Sequence, residues 1–487
     1  MKKYQKILII AAVIFIFTTV LLYNNYDYIF EIGFVEQPLY NTIHGNFFYS
    51  ASNGGNHFAR HNSPILFLYL PVYYIFEHIT SITILTNLLL LLGAIPIYLF
   101  GKKVGMKITD NKKLSELSGI IIMTSYILFP SFLYSNLRSF HPVMLAAPLI
   151  SWGLYFLFEK KHQLALTFFL LAMLTNETVS LLMIFLGIYI AFKHEKKTGV
   201  YLIILALVWF QFSTSIISSA NGSGEYPYFK EIYGHLGTDF SSVIKTIITN
   251  PVSSFMYGKP VRKIVYLLEI FGHNIFLGFL SPWLILTTLP VLAQNLFSSS
   301  PYKYDILAHY VYPIVPIIFF SLMGGLIRIK RNEKKNIIFS YIKNNYKTIL
   351  YILLVIAIYN GFFNGAINIY KDNCSTFGSN CQTGDIIGNT PRESVPIISK
   401  FIKMIPEDAT VLAQDHIYSS VSNRKIALLF QRYNSPPTTD YILLDRDGNY
   451  APVNFDEYLQ YLKENKNYNL LAHEGNIYLY KAIAKRE

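Results

Sequence analysis

Residues 56–76 read NHFARHNSPILFLYLPVYYIF. His57, Arg60 and His61 stand directly before an apolar run that carries Pro64 and Pro71. If that run crosses a membrane, everything after it changes sides; if it lies against one, nothing does. A straight span needs roughly 20 apolar residues, and the run 64–77 is shorter than that and interrupted by its prolines. It is expected to be a re-entrant or interfacial helix, because counting it as a span breaks the charge pattern of the rest of the chain.

Composition marks the chain as a polytopic membrane protein. Of 487 residues, 52% are hydrophobic and only 14% charged, too few charges to coat a soluble protein of this size. Tyr (38) and Phe (37) are abundant, which suits interfacial belts, lipid-facing surfaces and sugar-stacking platforms alike. The net charge of +12 invites a nucleic-acid reading, but the Lys and Arg residues fall in short loops between apolar runs, so no nucleic-acid partner is expected. With Cys374 and Cys381 as the only cysteines, a disulfide framework and a cysteine metal site are both excluded. After Met1–Lys6, the stretch ILIIAAVIFIFTTVLLY has no small-residue cleavage site behind it and reads as a retained first span.

Apolar runs at about 7–23, 81–100, 117–134, 142–158, 163–175, 178–192, 200–218, 263–280, 282–297, 309–327 and 347–363 predict eleven spans. An odd number puts the termini on opposite sides. With the N-terminus cytoplasmic, the inner loops hold twenty Lys and Arg residues and the outer loops before residue 364 hold eight, the bias that fixes orientation. The expected architecture is an α-helical polytopic membrane domain over 1–363 and a small extracytoplasmic α/β domain over 364–487. In the latter, VPIISKFIKMI and FDEYLQYLKEN read as helices, ATVLA and DYILLD as strands, and YNLLA with NIYLYKA as a hairpin. Cys374 and Cys381 lie on its entry, on the oxidising side, where a local disulfide is expected; two unpaired thiols are the alternative.

With the orientation set, titratable residues collect on the outer face. The first outer loop (24–63) contributes Asp27, Glu31, Glu36, His44, His57, Arg60 and His61; YSNLRSFHP adds Arg138 and His141; LTNET adds Asn176 and Glu177 in a turn of almost no length. Two further loops follow, GEYPYFKEIYGHLGTDF and SSSPYKYDILAHY. Ordinary wetness of outer loops accounts for His235, Asp239 and Asp305. It accounts less well for groups fused to span ends, since ionisable side chains at a membrane boundary are costly unless paired or used. Within a span, Glu269 and His273 of LLEIFGHNIF lie four apart on one helical face, either bonded to a neighbouring helix or serving proton transfer.

In order along the chain, FEIGFVEQPLYN, HFARHNSPILFLYLPVYYIF, NLRSFHP, NET, LSPWLILTTLPVLAQNLFSSSP, HYVYPIVPIIF and DYILLD resemble the domain-of-unknown-function 2079 family, multi-pass proteins grouped with the GT-C glycosyltransferases. The resemblance covers nearly the whole chain. It implies a polyprenyl-phosphate sugar donor, a membrane-embedded site, and a catalytic carboxylate in the first outer loop. Glu31 and Glu36 stand where the family carries aspartates. Val143, Asn176 and Thr178 depart from its pattern in the second and third loops.

On that basis Glu31, Glu36 and Glu177 are the candidate catalytic residues, with Glu31 or Glu36 as the base that takes a proton from the acceptor hydroxyl. His57, Arg60, His61, Arg138 and His141 are candidate substrate-binding residues facing the departing phosphate. Glu36, His57 and His61 are alternatively candidate ligands of a divalent metal ion. The acceptor, whether glycan, lipid or protein, is left open. The main rival is a lipid or small-molecule transporter, for which Glu269 and His273 speak but no internal repeat does. An assembly protein acting through 364–487 would leave the first-loop carboxylates unexplained. A reporter active only in the cytoplasm and fused at Glu487 should be silent; activity there would reverse every side assignment.

Overall fold

The structure, a computed structural model, describes residues 2–28, 30–222, 224, 226, 228–366, 390, 392–430, 438–447, 455–464 and 467–483. Cys374 and Cys381, with their expected bridge, lie outside them. Among the described residues five helices are long and apolar enough to cross a membrane by length and composition: Lys3–Asn24, Ile79–Thr109, Lys196–Ala220, His309–Lys335 and Tyr346–Phe363. Pro142–Phe158, His162–Met173 and Val179–Lys193 are apolar but shorter.

Several expected spans are not single helices. The stretch 117–134 divides into Lys112–Ile127 and Pro130–Arg138, because Pro130 has no N–H to continue the helix and restrains the residue before it. The stretch 263–280 breaks after the helix Pro260–Gly272, where Ile275 (φ 46) and Phe276 (φ 55) turn left-handed before a 3-10 turn, Leu277–Leu280. The stretch 282–297 is shorter still in its pieces, Pro282–Ile285, Leu286–Thr288 and Leu289–Leu296, two of which start on or next to a proline.

The run 64–77 forms a 3-10 turn, Pro64–Leu68, and a short helix, Leu70–Ile75, together too short to cross. Its apolar side chains Phe67, Leu68, Tyr74, Ile75 and Phe76 are exposed. Two buried tyrosines hold it from inside, Tyr69 sharing a 2.8 Å hydrogen bond with Thr86 and Tyr73 donating to Glu36 Oε1 at 3.1 Å.

Small residues let the helices approach closely, as they must in lipid, where apolar surface alone drives no association. Val179–Lys193 and Lys196–Ala220 cross at Gly187 and Gly199: a Cβ on Gly187 would lie 2.9 Å from the Gly199 carbonyl oxygen, and one on Gly199 would collide with the Ala191 backbone.

Beyond the bundle, strands β1 (Tyr49–Ser50) and β2 (Gly55–Asn56) make a short antiparallel ladder in the first loop. A five-stranded sheet follows, with β3 (Val411–Ala413), β4 (Ala427–Leu429), β5 (Tyr441–Asp445), β6 (Tyr468–Glu474) and β7 (Ile477–Ala482) in the order β4-β3-β5-β7-β6. β3 pairs in parallel with β4 and β5, and β7 runs antiparallel to both β5 and β6. β3 and β5 are buried on both faces, hence their unbroken apolar runs. Ser394–Ile402 covers one face through Ile398 and Phe401, and Phe455–Glu464 the other through Phe455, Leu459 and Leu462.

This sheet is bolted to the first loop. Gln37 Nε2 and Ser52 Oγ both donate to the Ala427 carbonyl (3.1 Å each), Asn41 Nδ2 donates to the Lys425 carbonyl (3.1 Å), and Leu429 N–H donates to Ser52 Oγ (3.1 Å). Gly33 has no room for a side chain, since a Cβ there would sit 2.6 Å from the Tyr418 ring.

Gly199→Ala should lower stability by about 1–3 kcal/mol, the range for overpacking a rigid contact. Thermal unfolding of the purified protein measures it; an unchanged midpoint would mean the crossing can open without cost.

Candidate functional site

Six separate segments meet at one end of the bundle: the 3-10 turn Phe30–Ile32, residues 61–62, residues 139–141, the turn 176–177, Tyr226, and 302–309. Each lies where an element begins or ends, so its side chains leave the apolar packing and turn toward one another.

Glu31 anchors one side. Ser139 Oγ donates to its Oε2 at 2.7 Å, Tyr302 OH donates to its Oε1 at 3.0 Å, and His309 Nδ1 lies 3.5 Å from Oε2. Burial pushes the Glu31 carboxyl upward, but the charge and hydrogen bonds from His309, Ser139 and Tyr302 outweigh it and hold the group below its usual range. Glu31 is thus a carboxylate at neutral pH.

Glu177 anchors the other side. It is fully buried, takes His61 Nδ1 at 3.0 Å and Tyr226 OH at 2.8 Å on Oε1, and takes the Asn62 N–H at 3.3 Å on Oε2. Here too burial acts upward and is outweighed, chiefly by His61, so that the carboxyl lies below its ordinary value. Asn176 holds the turn by accepting from the Thr178 N–H at 3.0 Å.

Imidazoles fill the space between. His309 and His141 stack with ring centroids 4.1 Å apart and 7° between planes, and His61 meets His141 edge-on at 5.1 Å. Burial, then the neighbouring His309 and His61, hold His141 well below its ordinary value, so it is neutral. Lys303 stands with Nζ 4.5 Å from the centroid of the Tyr310 ring. Burial lowers it to about 8 while Glu177 pulls it back up, leaving it mostly protonated at neutral pH. The series Glu31–His309–His141–His61–Glu177, with Lys303 beside it, offers a charged base, a run of imidazoles and a cation side by side.

Of the candidates drawn from sequence, the structure brings together Glu31, His61, His141 and Glu177. Glu36 is placed elsewhere: Tyr73 and Ser422 donate to its two oxygens, making it a buried contact between the short helix at 70–75 and the C-terminal sheet region. Arg60 faces Glu231 at 3.9 Å on the partly exposed rim. His57 is buried against Phe48 and Phe58, and its ring nitrogens find no hydrogen-bond partner among the described residues. Burial, then His61, push it down to about 3. Arg138 ends the helix Pro130–Arg138; its side chain lies outside the description. Among the described residues no three of His, Cys, Asp or Glu are placed to hold a metal ion, so Glu36, His57 and His61 do not fit together as a ligand set.

Glu269 and His273 do not act as a pair. Glu269 takes Arg262 at 2.7 Å, and the same guanidinium reaches Asp305 at 3.4 Å. His273, past the end of that helix, contacts the Ser125 hydroxyl (3.2 Å) and carbonyl (3.0 Å). Asp239 caps the helix Phe240–Thr249, and His235 stacks on Tyr257. The groups that sequence reasoning passed over are Ser139, Tyr302, Lys303 and His309. Their one signal was the crowding of aromatic and titratable residues at 302–310, ahead of an apolar run.

The profile of a family described as predicted membrane protein, DUF2079, matches residues 18–479. No curated protein matches the sequence. Among solved structures, the crystal structure of ArnT from Cupriavidus metallidurans bound to undecaprenyl phosphate is similar, with a TM-score of 0.56 at 10% identity over 99% of this chain and 98% of that one. At that identity the likeness is one of fold.

Glu36, raised by burial to about 7, binds its proton more readily folded than unfolded. Its stabilising contribution is full below the unfolded carboxyl value of about 4.3 and is lost as pH rises through about 7. Glu36→Gln should therefore stabilise the protein over wild type at pH 8 by on the order of 3 kcal/mol, seen as a higher thermal midpoint, and leave the midpoint near wild type at pH 4. Equal midpoints at both pH values would overturn this placement.

Proposed function

We propose, since the chain belongs to the DUF2079 family of predicted membrane proteins, that it is a GT-C-type glycosyltransferase taking a sugar from a polyprenyl-phosphate donor to an acceptor on the outer face of the membrane. One observation carries this: the partly buried series from Glu31 to Glu177, with Lys303 alongside, at one end of a bundle that shares its fold with a protein solved bound to undecaprenyl phosphate. In this proposal eleven spans place the N-terminus in the cytoplasm and residues 364–487 outside.

Glu31 serves as the base. Its carboxylate takes the proton of the acceptor hydroxyl as the hydroxyl oxygen attacks the anomeric carbon, and the bond from that carbon to the phosphate oxygen breaks, its electron pair leaving with the polyprenyl phosphate. Ser139 and Tyr302 keep the carboxylate aimed. Lys303 meets the negative charge that grows on the phosphate, a role for which a partly desolvated cation is worth more than one in bulk water. An apolar groove of about 320 Å³, lined by Leu267, Phe271, Phe279, Ile285 and Leu292 among others, offers a place for the polyprenyl chain. One of its walls, the helix Leu289–Leu296, leads toward the turn Pro301–Tyr304 that carries Lys303.

The test is purified protein in lipid with a labelled polyprenyl-phosphate sugar. Glu31→Gln should retain donor binding and cost roughly a hundredfold or more in turnover, the scale of acid–base assistance, while Glu36→Gln stays active at neutral pH. Lys303→Gln should act mainly on donor KM. Wild-type turnover in Glu31→Gln would remove the cluster as the active site.

A further inference from the structure

At the opposite end of the helix Val315–Asn332 from His309, four lysines line one pocket. Eighteen residues at 1.5 Å each separate the two ends by about 27 Å, close to the thickness of a hydrocarbon core. The pocket, about 380 Å³, lies where the end of Ala94–Thr109 meets the start of Tyr346–Tyr359. Lys107, Lys330, Lys343 and Lys347 line it together with Asp110. Glu333 takes Lys330 at 3.0 Å and Lys343 at 3.6 Å, fixing those two ammonium groups. Among the described residues neither Lys107 nor Lys347 forms an ion pair. Two acidic groups, Asp110 and Glu333, thus face four cations, and the pocket keeps a positive excess.

Beside it the helix Ile337–Asn344, capped by the Asn336 side chain, leaves Ile337, Ile338 and Tyr341 exposed, 86%, 63% and 67% respectively. Apolar side chains this bare next to a basic pocket match a ligand with an anionic head and an apolar body. We infer that the pocket binds the phosphodiester headgroup of an anionic lipid, with Ile337, Ile338 and Tyr341 against its acyl chains. The site stands on its own residues and does not depend on the activity proposed for the other end. Basic pockets between helices recognise headgroups in this way, each Lys near the surface contributing about fivefold in affinity.

The test is native mass spectrometry of the detergent-purified full chain, titrated with phosphatidylglycerol, phosphatidylcholine or the chain-free headgroup glycerophosphoglycerol. Phosphatidylglycerol should bind in preference to phosphatidylcholine. Lys107→Gln and Lys347→Gln should each weaken it about fivefold and together about twentyfold, whereas the Lys107→Arg/Lys347→Arg pair keeps it. The single variants carry the test if the double glutamine variant does not fold. Unchanged phosphatidylglycerol affinity in the glutamine variants, or equal binding of phosphatidylcholine, overturns the site. Displacement of the lipid by an equal concentration of glycerophosphoglycerol overturns the lipid assignment and leaves a soluble phosphate ester as the ligand.

Discussion

An ionised carboxylate inside apolar surroundings is stable only where its charge is met by donors and cations, and the end of the bundle that carries Glu31 and Glu177 is shaped by that demand. Glu177 is buried and Glu31 largely so, and each depends on partners from other segments. Glu31 is met by Ser139, Tyr302 and His309, and Glu177 by His61 and Tyr226 together with the Asn62 backbone. Pairing each carboxylate pulls together chain segments up to 271 residues apart. Removing one partner exposes a buried charge, so these segments hold their relative places more firmly than their short lengths suggest.

Two carboxylates five residues apart on one strand of sequence receive opposite treatment. Glu31, ringed by imidazole and hydroxyl donors, is held ionised; Glu36, with Ser422 and Tyr73 as its donors among the described residues, is raised to about 7. The chemistry of the side chain is the same and the surroundings decide its use, as in acid–base sites where neighbouring carboxyls are driven apart in pKa. Here one serves a polar enclosure and the other a joint between structural units.

Much of the fold could be read from composition and period. The long aliphatic helices and the prolines that cap short ones follow from hydropathy and backbone restriction, as do the strand-like runs at 411–413 and 441–445. The breaks after Gly272 could not be read, because left-handed Ile275 and Phe276 carry none of the Gly or Asn signature that announces such a turn. β4, Ala427–Leu429, was missed, although β3 of the same length was read. In the site, Glu31, His61, His141 and Glu177 were legible as ionisable groups fused to span ends. Lys303 and His309 were not, since a lysine in a polar loop looks solvated until tertiary packing closes over it. Glu36 was misplaced for a related reason: its partner Ser422 lies 386 residues downstream.

That last distance bears on how the protein is made. Ser52 and Gln37 bond to the carbonyl of Ala427, so the first loop lacks part of its hydrogen-bonding complement until the ribosome has added about 375 further residues. At roughly 5–20 residues per second this is an interval of about 20–75 s. For that time the loop carrying Glu31 waits beside the membrane with water in place of the Ala427 carbonyl. Its geometry is completed by about the last eighth of the chain, so a polypeptide that stops short of β4 is left with its helices and without a finished first loop.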